Sequence, residues 1–327
     1  MSKKSKGITL MVLIITIVIM LILAAVTVGA INSGLFDYAG DAKKTAEQTS
    51  EMDGIAKAYL IAKDLNKTVT EEEFQKQLNK IFPDLGITLS NNGDGFDILI
   101  NNNGYTVDKN GKTTGHGKIK EIQNVGDITK GGTCTGTQNN PYRIECIEDL
   151  VKLSEIGNNN GTNTSPTKFF LLAKDLDFNS IFSYGNYKAK YSYDSEKKAY
   201  VPDENSETTI KDLCTTGEGF IPISLSYGSD GSPAFHGTFY GAEQRTIKNI
   251  YINRSGVAAL FGACSNNATI KNIILEGNIT STGDIAVGFV GVGWGCTIEN
   301  CINKSKVTSK TSYASGIKGG GRKRYCN

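Results

Sequence analysis

Two short phrases repeat in step in the second half of the chain, and no other feature constrains the fold as strongly. The first phrase occurs three times, with spacings of 23 and 28 residues, at 246–250 (TIKNI), 269–273 (TIKNI) and 297–301 (TIENC). The second phrase occurs with spacings of 29 and 28 residues, at 259–262 (ALFG), 288–291 (GFVG) and 316–319 (GIKG). Phrases that recur together every 20 to 30 residues or so (about one supersecondary unit) indicate a solenoid.

The residues between these phrases are rich in Ile, Val, Thr and Gly and show no helical period. One coil per repeat therefore predicts an all-β solenoid, a parallel β-helix. An apolar column is expected inside it, formed by Ile247, Ile270 and Ile298. An asparagine ladder is expected at a bend, where side-chain amides hydrogen-bond from coil to coil, formed by Asn249, Asn272 and Asn300.

A further set of phrases precedes the repeats in a fixed order. A Gly-Thr-Gln-Asn-Asn-Pro run, within 136–144, stands before an amphipathic helix at 147–156. Three aromatic-rich phrases follow, at 169–178, 219–223 and 235–241. Together they resemble bacterial surface proteins that carry GLUG-type repeats on a right-handed β-helix. The chain departs from that family at Tyr240, where Asp is usual, and in a polar insertion between Asn179 and Cys214. The resemblance implies a right-handed β-helix domain over 134–327 that is displayed on a cell surface.

The last repeat ends abruptly. Lys318 falls in the column of Phe261 and Val290, and the following residues, 319–324 (GGGRKR), abandon the repeat. A solenoid normally ends in a cap. The sequence therefore favours a β-helix that is incomplete at its C-terminus, through truncation or a frameshift.

The N-terminus carries 24 uncharged residues, at 8–31. As a helix this run would reach roughly 36 Å, and the core of a bilayer is about 30 Å thick. The positive-inside rule places the N-terminus in the cytoplasm, because of Lys3, Lys4 and Lys6. The sequence thus predicts a transmembrane helix over 8–31, a single-pass protein of the cell membrane and extracellular C-terminal domains. A cleaved signal peptide is the alternative, but its apolar region is typically about 7–15 residues long.

The residues around Gly7 resemble the N-terminus of type IV prepilins and pseudopilins. A basic leader, 1–7, ends in Gly, and Ile8-Thr9-Leu10 opens the long apolar run. The resemblance implies that a membrane prepilin peptidase cleaves between Gly7 and Ile8, that the new N-terminus is methylated, and that other pilin subunits are partners. The chain departs from the family at Val12, where a Glu normally assists filament assembly.

Residues 32–114 are predicted to extend this helix and to form a small α+β head, which resembles a minimal pilin head. Helical spacing continues to Leu65, and a second helix begins with a capping box at Thr70 and ends at Pro83. Three short strands follow, each bounded by an Asn-Gly pair that favours a hairpin turn. Residues 115–133 lack periodicity and contain several glycines, so they are predicted to be a linker.

The composition offers little material for a cofactor or a catalytic centre. The formal net charge of +2 gives no case for nucleic acid, and the only histidines are His116 and His236. Of seven cysteines, Cys134 and Cys146 flank the first strand of the repeat domain and are the candidates for a disulfide in an oxidising exterior. No cofactor and no metal are expected.

Two carboxylates and four tyrosines are the remaining candidates for function. A polysaccharide lyase or hydrolase would need paired carboxylates or calcium ligands, and Asp175 and Asp177 are two apart on a strand-like run. These aspartates also match a family phrase that indicates turn chemistry. The insertion carries four tyrosines that are candidates for glycan contacts or for packing: Tyr184, Tyr187, Tyr191 and Tyr193.

The sequence favours a non-enzymatic, adhesin-like surface protein that binds a surface glycan or a host protein through its β-helix. Two alternatives stay open. The first is a minor pilin or pseudopilin subunit of a type IV pilus or of a type II secretion-like filament. The second is a carbohydrate-active β-helix enzyme.

Overall fold

The computed structural model describes residues 35–66, 68–159, 167–225, 234–265, 268–283, 285–310 and 313–320. The leader predicted at 1–7 and the membrane helix predicted at 8–31, with the cleavage site at Gly7 and Ile8, lie outside these residues. Across the described ranges no helix combines the length and the apolar character that crossing a lipid bilayer requires. The transmembrane helix in the predicted fold, and the single-pass membrane localisation that depended on it, are corrected by this finding.

The longest helix among the described residues is too highly charged to cross a bilayer. Helix α1, Leu35–Leu65, has 31 residues and would be long enough at about 1.5 Å per residue. However, ten of its residues are charged and they recur throughout its length. Burying so many charges in hydrocarbon is unfavourable, so α1 packs one face on a sheet instead.

The head consists of two helices on one antiparallel sheet. Helix α2, Glu71–Ile81, begins where the Thr70 side chain accepts a hydrogen bond from the backbone N–H of Glu73, as the capping motif predicts. The sheet has four strands in sequential order: β1 Ile87–Asn91, β2 Gly95–Ile100, β3 Asn103–Asp108 and β4 Thr113–Lys118. The first three are the strands predicted between Asn-Gly turns. The fourth extends into the predicted linker and was missed, because its sequence, TTGHGK, has no apolar residue.

Aromatic rings fill the core of the head. Tyr59 of α1 contacts Phe74 of α2 edge-on, with ring centroids 5.4 Å apart, and Phe74 contacts Phe96 of β2 at 5.2 Å. Both arrangements are favourable ring geometries. These contacts pack the layer of two helices against the sheet.

The second half is built largely of parallel strands. An eight-stranded sheet contains β5 Tyr142–Ile144, β6 Lys168–Leu172, β7 Leu176–Asp177, β10 Gly237–Arg254, β12 Thr269–Ser281, β15 Thr297–Glu299, β16 Ile302–Asn303 and β17 Lys306–Ser309. A second parallel sheet contains β11 Phe261–Cys264, β14 Val290–Gly293 and β19 Lys318–Gly320. A third pairs β13 Ile285–Val287 with β18 Tyr313–Ser315. Backbone pairing places Phe261, Val290 and Lys318 in one column, as the second repeated phrase predicts.

The first repeated phrase does not align as predicted. Ile270 pairs with Ile298, but the strand β10 places Phe239 opposite Ile270, and Ile247 pairs with Leu275. The register of β10 shifts twice, between Tyr240 and Arg245 and between Ile247 and Ile250. These shifts place extra residues in the strand β10, so one rung contains more residues than the 23 that separate the first two copies of the phrase.

The right-handed β-helix predicted for 134–327 is also corrected, because the sheets do not close into a solenoid. The segment before β10 interrupts the stack with helix α3 Ile147–Asn158, a 3₁₀ turn Ile181–Ser183, an antiparallel hairpin of β8 Tyr191–Asp194 and β9 Ala199–Pro202, and helix α4 Ile210–Thr215. The side chains of α3 join the same apolar core as the stacked strands, with Leu150 and Leu153 fully buried. Helices and a hairpin thus cover core surface that further coils would otherwise cover.

Candidate functional site

A cleft of about 780 Å³ lies between the head and the insertion. Its walls come from the end of β2 and the β2–β3 turn, from the end of β4 and the segment after it, from the link between β6 and β7, and from the 3₁₀ turn and the residues beyond it: Leu99, Asn102, Lys118, Ile119, Lys120, Glu121, Ile122, Lys174, Ile181, Phe182, Tyr184, Gly185, Asn186 and Tyr187. The cleft therefore depends on how the head is seated on the second half.

Buried polar contacts fix that seating. The carboxylate of Asp97, only 2 % exposed, accepts hydrogen bonds from Ser180 Oγ at 2.6 Å and from the Ile181 backbone N at 3.1 Å. Burial raises the pKa of Asp97, while these hydrogen bonds act in the opposite direction. Nearby, Lys211 Nζ of α4 donates to Ser90 Oγ at 2.6 Å and to Asn91 O at 2.7 Å. Burial lowers the pKa of Lys211, and Asp97 partly offsets that shift.

Aromatic side chains form the inner wall. The ring of Phe182 lies 5.3 Å from the imidazole of His116, centroid to centroid. Tyr184 is buried and donates from its hydroxyl to Phe178 O at 2.8 Å, so it forms a fixed floor. Tyr187 is half-buried, and burial raises its pKa to about 12, so its hydroxyl is neutral at physiological pH.

A glycine allows this wall to pack closely. A Cβ atom added at Gly104 would lie 2.6 Å from Ile119 Cδ1 and 3.2 Å from Phe182 Cε1. Both distances are shorter than a relaxed contact, so any side chain at 104 would displace the two wall residues. The close approach of β3 to the insertion thus requires the glycine.

The loop at the other side of the cleft is held by a buried acid. Glu148 of α3 is 1 % exposed and accepts from the backbone N of Gly185 at 2.9 Å and of Asn186 at 2.8 Å. Two hydrogen bonds donated by this loop to one carboxylate fix its backbone. The amide side chain of Asn186 is left exposed at the rim.

The rim carries an excess of positive charge. Three exposed lysines, Lys118, Lys120 and Lys174, stand against the single carboxylate of Glu121. Within the described part of the chain, none of the three forms an ion pair. An unneutralised cluster of this kind favours an anionic ligand.

The two cysteines that are candidates for a disulfide are not bonded in this structure, so their pairing stays a prediction. Cys134 and Cys146 are both buried and both free. Cys146 stands at the N-terminal end of α3, where burial and the nearby carboxylates of Glu148 and Asp149 raise the pKa of its thiol. A neutral buried thiol is unreactive, so Cys146 acts as a small core residue.

The predicted asparagine ladder forms in part. Asn300 Nδ2 donates to Asn272 Oδ1 at 2.9 Å, and Asn272 Nδ2 donates to Gly241 O at 2.9 Å. Asn249 stands apart from them and donates to Asp177 Oδ1 at 2.7 Å. All three asparagines have positive φ, between 47° and 60°, which Asn tolerates better than most residues. The sequence therefore predicted the bends correctly, but Asn249 does not belong to the hydrogen-bonded ladder.

The two candidate aspartates join strands rather than face a cavity. Asp175 Oδ1 accepts from the Thr246 backbone N at 2.9 Å. Asp177 Oδ1 accepts from Asn249 and, at 3.0 Å, from the Asn179 backbone N. His236 contacts Ser265 Oγ at 3.1 Å, away from both. No cluster of three metal-ligating side chains is found in the described ranges.

Only two of the four predicted tyrosines reach the cleft, namely Tyr184 and Tyr187. Tyr191 is buried in the core, and Tyr193 is 51 % exposed and contacts the Tyr200 ring at 6.3 Å. Sequence reasoning missed Lys118, Lys120 and Phe182. The first two fall in the predicted linker, and no local pattern connects them with the insertion.

Comparisons with protein-family models, with curated proteins and with solved structures find no match to this chain. None of the three therefore supports the pilin-like or the GLUG-type resemblance, and the fold and the cleft are the basis for a function.

Proposed function

We propose that this chain is a non-enzymatic binding protein that holds an anionic glycan in the cleft between the head and the insertion. The observation that carries the proposal is the composition of the cleft. Aromatic rings, exposed amides and three lysines that form no ion pair with a described residue line one cavity of about 780 Å³. That volume lies in the range of roughly 300–1,000 Å³ that ligand sites occupy.

Each type of lining residue suits one part of such a ligand. The rings of Phe182 and Tyr187 offer apolar faces to the C–H surface of a sugar. The amides of Asn102 and Asn186 can both donate to and accept from hydroxyl groups. Lysine ammonium groups attract carboxylate or sulfate substituents and hold them as point charges.

The placement of the carboxylates supports binding rather than hydrolysis. Glycoside hydrolases use two carboxyl groups about 5–10 Å apart on either side of the scissile bond. Glu121 is the only carboxylate among the residues that line the cleft. Asp175 and Asp177 accept hydrogen bonds within the strand stack and lie outside the lining.

The test measures binding of the full chain to a uronic-acid polysaccharide and to a neutral polysaccharide of similar length, by calorimetry at two salt concentrations. We expect the acidic polymer to bind at least about tenfold more tightly, and its affinity to fall as salt rises. The double variant Lys120→Ala/Lys174→Ala should weaken acidic binding about fivefold to tenfold.

The matched control is Lys306→Ala/Lys310→Ala, which removes two exposed lysines of the strand stack and should leave binding unchanged. The pair Tyr187→Phe and Tyr187→Ala tests the ring, since only the alanine variant loses the apolar face. Equal binding of the acidic and the neutral polymer, or equal losses in the cleft and control variants, would overturn the proposal.

A further inference from the structure

Two cysteines that are far apart in sequence meet on one side of the strand stack. Cys264 ends β11 and is fully buried, and Cys296 follows β14 and is 3 % exposed. The strands pair so that Cys264 lies opposite Gly293. The chain then turns at Trp294, whose backbone N donates to Cys264 O at 3.0 Å. This tight turn brings Cys296 back over the rung that holds Cys264.

The glycine between them creates the space for this approach. A Cβ atom added at Gly293 would lie 2.6 Å from Cys296 Sγ and 2.8 Å from Lys318 Cε. The thiol of Cys296 and the stem of Lys318 therefore both rest on the bare backbone of Gly293. Three successive rungs thus contribute Cys264, Cys296 and Lys318 to one cluster.

The two thiols stand on paired rungs and differ in character. The neighbouring Cys264 thiol and the charge of Lys318 lower the pKa of Cys296, although its burial acts against them. Burial raises the pKa of Cys264, which therefore stays protonated. Cys296 is therefore the cysteine that ionises more readily, and Cys264 is the thiol that reacts second.

We propose that Cys264 and Cys296 form a reversible redox site, at which a low-molecular-weight disulfide oxidises the dithiol to a disulfide that links two rungs of the strand stack. The Cys296 thiolate attacks one sulfur of the oxidant, whose S–S bond breaks and releases one thiol. Cys264 then gives up its proton and attacks Cys296 Sγ, which expels the second thiol. Two electrons and two protons pass to the oxidant, which leaves as two thiols.

Access to the site sets the rate. Because Cys296 is almost fully buried, an oxidant reaches it only when the turn at 294–296 opens. Oxidation is therefore slower than that of an exposed thiol, and reduction by an external dithiol obeys the same limit. A sulfur–sulfur bond is about 2.0 Å long, so its formation requires the two side chains to approach each other across the paired rungs.

The test uses the full chain, reduced and then equilibrated with mixtures of oxidised and reduced glutathione, after which free thiols are alkylated and peptides are identified by mass spectrometry. We expect a cross-linked pair of peptides that contain Cys264 and Cys296, with two free thiols lost and both recovered after reduction. We also expect the thermal unfolding midpoint to rise by about 5 °C or more on oxidation, because a loop of roughly 30 residues is closed.

Variants establish the order of the steps. In Cys264→Ala the first step stops at a mixed disulfide between Cys296 and glutathione, and in Cys296→Ala the remaining Cys264 stays unmodified. Cys301→Ala removes a partly buried thiol that donates a hydrogen bond to Ile270 O, and it should leave the cross-link intact. Recovery of both peptides as alkylated free thiols from folded wild-type protein in excess oxidised glutathione would overturn the proposal, and so would a cross-link of either cysteine to a different partner.

Discussion

Asp97 of the head and Ser180 of the insertion are 83 residues apart in sequence, yet the Ser180 hydroxyl donates to the Asp97 carboxylate at 2.6 Å. The same carboxylate accepts from the backbone N of Ile181 and from Asn92 Nδ2 at 2.7 Å. One buried acid therefore joins the β1–β2 turn of the head to the 3₁₀ turn of the insertion. The cleft exists because these two turns are held together.

Removal of this acid should loosen the head from the second half. Asp97→Ala leaves three donors without their acceptor in a buried site, and we expect the free energy of unfolding to fall by about 2–3 kcal/mol. Chemical denaturation with probes in each half measures it. Asp94→Ala, at an exposed carboxylate only 3.9 Å from Lys109 Nζ, is the matched control and should change stability by less than about 0.5 kcal/mol. Equal losses in both variants would contradict the role given to Asp97.

The ionisation of Asp97 should leave a signature in the pH dependence of stability. Burial raises its pKa in the folded chain above the value of about 3.9 expected in the unfolded chain. A raised pKa means that the stability contributed by the protonated acid is fully present below the unfolded value and is lost as the pH rises through the folded value. The slope cannot exceed about 1.4 kcal/mol per pH unit.

The variant Asp97→Asn isolates this effect, because it cannot ionise. We expect the difference in unfolding free energy, wild type minus variant, to decrease as the pH rises from about 4 and to level off above the folded pKa. Denaturation series at half-unit pH steps would measure it. A difference that instead increases with pH would mean that Lys211 and the hydrogen bonds outweigh burial.

A buried ion pair holds the segment before α3. Lys130 Nζ lies 2.6 Å from Asp149 Oδ2, and Asp149 is fully buried. Lys130→Ala leaves that carboxylate without its cation, and we expect a loss of about 3–5 kcal/mol in unfolding free energy. The control Lys197→Ala breaks an exposed pair, with 3.7 Å between Lys197 Nζ and Asp194 Oδ2, and should cost less than about 1 kcal/mol. A loss below 1 kcal/mol in Lys130→Ala would show that water replaces the ammonium group.

Local patterns in the sequence predicted local structure well. The capping motif at Thr70 and the Asn-Gly turns at 92–93 and 110–111 depend on neighbouring residues only, and they are found. The turn predicted at Asn103-Gly104 is wrong by two residues, because Asn101 and Asn102 form it and Asn103-Gly104 belongs to β3. The column of Phe261, Val290 and Lys318 was also predictable, because its strands are short and their register is regular. The first repeated phrase failed because β10 contains two shifts in register, and nothing in its composition marks where a strand gains a residue.

The cleft could not be predicted, for a different reason. Lys118 ends a strand without apolar residues and Lys120 follows it, whereas Phe182 lies in a polar insertion more than 60 positions away. Only the docking of the head through Asp97 brings them together. Such long-range contacts depend on how two folded surfaces fit, which neither period nor composition encodes. The two cysteines could not be predicted as neighbours for a similar reason, since only the pairing of β11 with β14 brings them together and no spacing rule connects 264 with 296.

The asparagine columns provide the sharpest test of register. Asn272 and Asn300 share a hydrogen bond of 2.9 Å, whereas Asn249 donates to Asp177 on another rung. A double-mutant cycle of Asn272→Gly and Asn300→Gly should therefore show a coupling energy of about 0.5–1 kcal/mol. Glycine is chosen because it retains the positive φ, so the cycle reports the side-chain contact and not backbone strain.

The same cycle with Asn249→Gly and Asn300→Gly is the control, and we expect its losses to add. Asn249→Gly should couple instead with Asp177→Ala, since these two side chains contact each other. Denaturant unfolding of the single and double variants gives all three coupling energies. Coupling between Asn249 and Asn300 as strong as that between Asn272 and Asn300 would restore the three-residue ladder that the repeated phrase suggested, and would make the observed register of β10 wrong.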